Sequence, residues 1–239
     1  MSVVIYSRQG CSKCQDLKSF LNILDIDFSE IDLDSNIDKA EVLREKGFRQ
    51  LPVVNFNESW ISDIEELKNE IKYKVGFINK LKNLVIEFYK SFNQTVFIGQ
   101  TKISEDRYNL KMRLYEEELL ELNYALENYD LLESFDALAD IMYIYIGNNL
   151  ENVSELFDKD PIKIYEDYIN IKTLIDSTFN IEIEDLDFLA IFYEVHKSNM
   201  SKLDEKGNPV YREDGKIIKS NLFFKPNIKK MKEYKKYLI

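Results

Sequence analysis

Two cysteines and one histidine are all the thiol and imidazole that 239 residues supply, and the scarcity excludes several centres. Both thiols, Cys11 and Cys14, fall in one CxxC, so there is neither a wider disulfide framework nor a four-thiolate zinc site, and a reducing compartment fits. The lone histidine, His196, ends an apolar helical pattern; a solvated or helix-capping role is as open as a catalytic one, and it is not nominated as a base. Positive charge is short as well: 32 Lys and Arg against 43 Asp and Glu leave a formal charge of −11. That deficit argues against a nonspecific nucleic-acid binder and offers no attraction to anionic membranes. It leaves nucleotides open, since metal ions can bridge acids to phosphates. No apolar run approaches a membrane span. Met1 to Tyr6 lacks a charged leader with a long apolar core, so cytoplasmic residence is expected. No internal repeat or low-complexity linker is visible. What the chain does have is apolar material, 45% of residues, enough for one large domain or two small ones.

The acids are concentrated where helices are expected. In RLYEEELLELNYALEN, Arg113 to Asn128, Glu117 and Glu121 sit four apart and Glu118 three before Glu121, so helical spacing brings three carboxylates to one side. Leu114, Leu119, Leu122 and Leu126 supply an apolar side to the same stretch. In ESFDALADIMYIYIG, Glu133 to Gly147, Asp136 and Asp140 are again four apart, Glu133 precedes them by a turn, and six apolar residues follow Asp140. Clustered, partly buried carboxylates repel one another unless cations hold them. Oxygen ligands in that number suit Mg2+ or Mn2+, which a triphosphate also brings with it. A solvated acidic face on an acidic chain is the competing reading.

Toward the amino end, strands are expected at Val3 to Tyr6, Phe28 to Leu33 and Val53 to Phe56, with helices after Cys11 and over Asp38 to Lys46. Ser62 and Glu65 look like a capping box opening a further helix. Such alternation implies a small α/β domain ending near residue 75. A helix amino terminus and Lys13 would favour the Cys11 thiolate, making Cys11 the attacking thiol and Cys14 the resolving one. Two reduced cysteines without a redox task remain the alternative. Lys74 to Lys82 is the expected junction, either a spacer or the start of the next helix. Beyond it, helices are expected over Phe77 to Phe92, Arg107 to Asn128, Leu132 to Ile146, from Pro161, and over Leu186 to Lys197. Ile98 to Ser104 reads as a loop, and Gly207 to Ile218 as a hairpin or loop.

IYSRQGCSKC after a first strand, with LPVV later, resembles the glutaredoxin and thioredoxin-like family over about the first 75 residues. The resemblance implies a cis proline at Pro52 shaping the thiol face beside Lys13. Trp60 to Asp63 departs from the family's usual glycine pair, which weighs against glutathione docking more than against dithiol exchange. Residues 78 to 230 resemble the all-α nucleoside triphosphate pyrophosphohydrolases, which include MazG-like proteins, dimeric dUTPases and phosphoribosyl-ATP pyrophosphohydrolase. The resemblance is carried by EEELLEL, DALADIMYIYIG and EVHKSNMSKLDEKGNPVYREDGKIIKSN. The expected fold is therefore two domains, a small α/β thioredoxin-like domain at 1–75 and an all-α MazG-like helical domain at 78–239.

The second resemblance implies metal ligation by Glu117, Glu118 and Glu121. Asp140 takes the family's later aspartate, and because Ala137 stands where its partner is expected, Glu133 or Asp136 must supply the missing carboxylate. Glu118 is the implied base or third-ion ligand. Asn199 and Lys202 are implied phosphate contacts, with Lys216 and Lys219 further candidates. The implied reaction is Mg2+- or Mn2+-dependent hydrolysis of a nucleoside triphosphate, dUTP or dCTP preferred, to monophosphate and pyrophosphate, with no organic cofactor. A homodimer or homotetramer is implied, and ribonucleotide reductase or a thiol reductant is a partner of the redox domain; neither nucleic acid nor membrane is expected. Three alternatives stand beside it: an electron carrier whose helical half only binds nucleotide or mediates oligomerisation, a phosphoribosyl-ATP pyrophosphohydrolase, and a nucleotide sensor without turnover.

Overall fold

The computed structural model describes residues 3–56, 58–94, 96, 103–154 and 156–238. The chain divides into two compact units, one of residues 1–76 with 160–163, the other of residues 77–159 with 164–239.

The first unit starts with β1 (Val3–Ser7) and α1 (Ser12–Ile23), followed by β2 (Phe28–Asp32), α2 (Ile37–Glu45), β3 (Val53–Phe56) and β4 (Ser59–Ile61). The strands form one sheet in the order β2-β1-β3-β4. β1 runs parallel to β2, with Val3 opposite Phe28, and antiparallel to β3, with Ile5 opposite Val54; β3 pairs antiparallel with β4. Branched residues make β1 and β3 good central strands. One face packs Val3, Ile5, Val54 and Phe56 against Leu17 and Leu21 of α1; the other packs Tyr6 and Val53 against Ala40 and Leu43 of α2. Burial of each large apolar side chain contributes about 1.5–3 kcal/mol. β4 was not among the sequence expectations, because three residues around one Trp carry too little alternation to register as a strand.

α3 (Ile64–Ser91) is one unbroken helix across the stretch read as a junction. Gly76 lies inside it, and the apolar spacing of Leu67, Ile71, Val75, Ile78, Leu81, Val85 and Phe88, all buried, carries straight through. The capping reading also changes: Asp63 Oδ1, rather than Ser62, accepts the Glu66 N–H at 3.0 Å.

The second unit holds α4 (Glu105–Glu127), α5 (Leu131–Leu150), α6 (Pro161–Phe179), α7 (Asp185–Met200), a 3-10 turn at Ile228–Lys230 and α8 (Lys232–Lys235). Ser104, read as the end of a loop, is the N-cap of α4, its side chain accepting from Arg107 N at 3.3 Å; residues 98–102 of that loop lie outside the described residues. Asp130 caps α5 through Glu133 N at 3.1 Å. α5 is buried nearly all round, with Phe135, Leu138, Ile141 and Met142 in the same core as Leu122 of α4 and Phe188, Ile191 and Phe192 of α7. α7 runs three residues past Lys197, so Asn199 belongs to the helix. The segment read as a hairpin has a single bridge, Tyr211 to Ile217. Among the described residues no helix is long and apolar enough to cross a membrane.

Candidate functional site

In the first unit the dithiol pair opens α1. Cys11 is the N-cap in extended conformation, and its sulfur accepts from the Cys14 N–H at 3.2 Å. The two cysteines form a disulfide with an S–S distance of 2.07 Å. Cys14 is 1% exposed, whereas Cys11 is half-buried and Lys13 exposed. An incoming sulfur therefore meets Cys11 first. The Leu51–Pro52 peptide is cis. Pro52 and Lys13 line one cleft of about 650 Å³ with Gln50, Ser62 and Asp63.

In the second unit, α4 and α5 bring acids together in consecutive turns. Glu118 and Asp140 are half-buried. The Glu118 carboxyl is pushed up to about 8, by burial first and then by the charges of Asp140, Glu121 and Asp136. Asp136 rises to about 7, through burial and then Asp140, Glu133 and Glu121. Asp140 is also raised by burial, with Lys202, the Asn199 side chain and Lys219 opposing. Glu121 and Glu133 are exposed and line an open cleft of about 390 Å³ with Leu120 and Tyr124. Glu117 is paired with a lysine instead: Lys216 Nζ donates to its Oε2 at 2.9 Å.

The cations come from the segment after α7. Lys202 Nζ donates to Asn199 Oδ1 at 2.5 Å; burial lowers its pKa, while the Asp140 charge raises it. Lys219 stands over the Phe223 ring at 4.4 Å and acts on both Asp140 and Lys202. Lys225, absent from the sequence expectations, acts on Asp136; its only signal was a cation shortly beyond the recognised motif. His196 is 4% exposed, so it is neither a solvated nor a capping residue. Its Nδ1 lies 3.0 Å from the Tyr143 hydroxyl and its Nε2 3.6 Å from Glu87.

Does this acid group suit a divalent ion? Its donors are oxygens, as a hard cation prefers. Asp136 Oδ1 is buried without a hydrogen-bond partner, and the burial and, after it, the repulsion that raise Glu118 and Asp136 are costs a cation would relieve. Donor type and the unpartnered oxygen fit. Among the described residues, no three His, Cys, Asp or Glu side chains are gathered closely enough to hold an ion between them.

Residues 3–76 match the family model described as glutaredoxin. A glutaredoxin-like protein NrdH of Salmonella typhimurium is 41% identical over 54 residues, 23% of this chain and 67% of the relative. The NrdH of Escherichia coli K12 is 43% identical over 54 residues, with the same coverage of 23% and 67%. Through its first domain, the chain belongs to the glutaredoxin family. An N-acetyl-S-hydroxy-L-cysteine reductase of Bacillus subtilis is 34% identical over 55 residues, 23% of this chain and 59% of that protein. Residues 85–154 match the family model described as phosphoribosyl-ATP pyrophosphohydrolase, a span containing every acid of the cluster. No solved structure matches. The molecule is thus a glutaredoxin-like domain of mixed α/β, thioredoxin-like fold, fused to an all-α domain similar to the phosphoribosyl-ATP pyrophosphohydrolase and MazG superfamily.

Proposed function

We propose that the glutaredoxin domain is a dithiol electron carrier and that the helical domain hydrolyses the α,β-phosphoanhydride of a nucleoside triphosphate. The observation that carries the first half is a half-buried Cys11 at a helix amino terminus with Cys14 buried behind it. In the reduced chain the Cys11 thiolate attacks one sulfur of a substrate disulfide, forming a mixed disulfide and releasing the other sulfur as a thiolate. Cys14, deprotonated, then attacks the Cys11 sulfur. The second substrate thiol leaves, the Cys11–Cys14 disulfide forms, and two electrons have passed to the substrate. A thiol reductant returns the pair to the dithiol. The protein substrate in this reading is a disulfide such as that of a ribonucleotide reductase.

For the helical domain, the buried acids are the support. Glu118, Glu121, Asp136 and Asp140 would hold Mg2+ or Mn2+, which supplies Lewis-acid polarisation of the phosphate and a more acidic bound water. Lys202, steadied by Asn199, and Lys219 balance phosphate charge. Glu117 is not in this set, because Lys216 pairs with it. The phosphoribosyl-ATP pyrophosphohydrolase match favours phosphoribosyl-ATP as substrate over the dUTP or dCTP preference expected from sequence, and the weight of glutaredoxin matches favours the electron carrier as the primary role. Exposed Leu120 and Tyr124 on α4 support assembly of copies through that face.

The test has two arms on one preparation. Reduction of 2-hydroxyethyl disulfide, with Cys11→Ser as blank, reads the carrier. Pyrophosphate release from phosphoribosyl-ATP and a panel of ribo- and deoxynucleoside triphosphates, with Mg2+ or Mn2+ and with Asp140→Asn as blank, reads the hydrolase. Expected are thiol turnover that survives chelation and pyrophosphate release that does not. Thiol turnover with no release from any compound would leave the helical domain a binding or assembly module.

A further inference from the structure

The glutaredoxin domain carries a second cleft that neither activity uses. It is about 190 Å³, with the buried side chains of Leu33, Leu43 and Val53 forming an apolar floor. Its rim holds three guanidinium groups, Arg8, Arg44 and Arg49, in a chain whose net charge is −11. Arg8 meets Asp34 at 3.3 Å, an exposed pair of the kind that contributes little. Arg49 donates to the carbonyls of Arg44 at 2.5 Å and Phe48 at 3.2 Å, and among the described residues its charge has no carboxylate. Among the described residues no carboxylate pairs with Arg44 either. Three arginines around a small apolar floor, two of them uncompensated, match a ligand that offers carboxylates beside one apolar side chain.

The cleft adjoins the one beside Lys13 and Pro52. Gln50 and Leu51 line both this cleft and the one that holds Lys13 and Pro52, and the Arg8 carbonyl accepts the Cys11 N–H at 3.2 Å. A chain lying in the arginine cleft would run on toward Lys13 and Pro52, past the Arg8 backbone that holds the Cys11 N–H. We propose that this cleft docks an acidic peptide segment of the disulfide-bearing protein that the dithiol reduces, with an apolar side chain in the pocket and flanking Asp or Glu on the arginines. The proposal deepens the dithiol reading by specifying the class of protein substrate. Oppositely charged rims act mainly on encounter and KM and are weakened by salt.

Binding is measured first, because it does not depend on turnover. Fluorescence anisotropy follows a labelled peptide of Asp, Glu and Leu, carrying Ser in place of Cys, on the full chain. Expected are saturable binding that weakens at least tenfold in Arg44→Glu, recovers in Arg44→Lys, and falls with rising salt. A peptide with Asn and Gln in place of the acids should bind at least tenfold more weakly. Equal affinity for the two peptides, or an Arg44→Glu affinity equal to wild type, overturns the proposal. Arg44-dependent binding of glutathione without binding of the peptide also overturns it, and gives the cleft to a small thiol. Turnover then separates the two readings: no reduction of 2-hydroxyethyl disulfide removes the dithiol carrier, whatever the peptide does. Where reduction occurs, KM for a disulfide-linked acidic peptide should rise about tenfold in Arg44→Glu at unchanged kcat.

Discussion

The Lys216 ammonium donates to the Glu117 carboxylate at 2.9 Å, tying the segment after α7 to α4. Its neighbour Glu118 is raised by burial first and then by the charges of Asp140, Glu121 and Asp136. Two adjacent glutamates thus belong to different surroundings. Glu118→Gln is expected to lower pyrophosphate release by about 100-fold or more, the scale of removing a metal-assisted group. Glu117→Gln should cost less than about tenfold, because it leaves the buried acids in place and frees one exposed ion pair. Steady-state kinetics of the two variants side by side decide it; equal losses would return Glu117 to the metal site.

The same Glu118 shift predicts a pH dependence of stability in the metal-free chain. Its folded value, about 8, lies above the value of about 4.3 for an unfolded glutamate. The folded state therefore holds the proton more tightly, and this contribution is fully present below the unfolded value and is lost as pH rises through the folded one. Asp136, raised to about 7, acts in the same direction. Thermal unfolding of wild type and Glu118→Gln after chelation should give a variant whose Tm advantage grows from about pH 5 to about pH 9. A gap that stays constant across that range would mean that Glu118 is not desolvated.

Much of this site could be read from the sequence because its signals are local. The CxxC at Cys11 and Cys14, the proline of LPVV, the i,i+4 spacing of Asp136 and Asp140, and Pro161 at the first position of α6 all follow from rules a few residues long. What escaped depends on neighbours far away in sequence. Adjacent helical positions point about 100° apart, so only tertiary packing selects Glu118 over Glu117 for burial. The boundary between the two units does fall at Gly76, inside the expected junction, but Gly76 carries no mark that tells a spacer from a helix running through it. The charge of Lys225 acts on Asp136 across 89 residues of chain, as 225 minus 136, a relation no local pattern encodes. The acidic peptide cleft escaped for the same reason, since Arg8 and Arg44 converge only once β1 and α2 are packed.

Glu151, 2% exposed, holds two cations at once. Arg107 grips it through Nε and Nη2, both at 2.7 Å, and Lys111 lies 2.6 Å away. Burial already lowers Lys111 to about 8, against the pull of Glu151. Glu151→Gln removes a charge that compensates both and should destabilise the chain by about 3–5 kcal/mol, the usual cost of breaking a buried pair from one side. Urea unfolding measures the loss. A second change, Lys111→Met, should recover part of it by removing the uncompensated ammonium.

Two helical glycines are expected to respond to alanine with opposite signs. A Cβ at Gly147 of α5 would collide with the Tyr89 hydroxyl and come within 3.0 Å of two ring carbons. Tyr89 is buried and its hydroxyl accepts from Lys111 Nζ at 2.6 Å, so the ring cannot swing aside without breaking that bond. Gly147→Ala should therefore cost about 1–3 kcal/mol, the range for overpacking a core. At Gly76 in α3 nothing lies within 4 Å of the added carbon, and an alanine there removes the entropic penalty of a helical glycine. Gly76→Ala should stabilise by about 0.5–1 kcal/mol. Chemical denaturation of the two variants against wild type checks both signs together; a destabilised Gly76→Ala would show that α3 is not a continuous helix at that point.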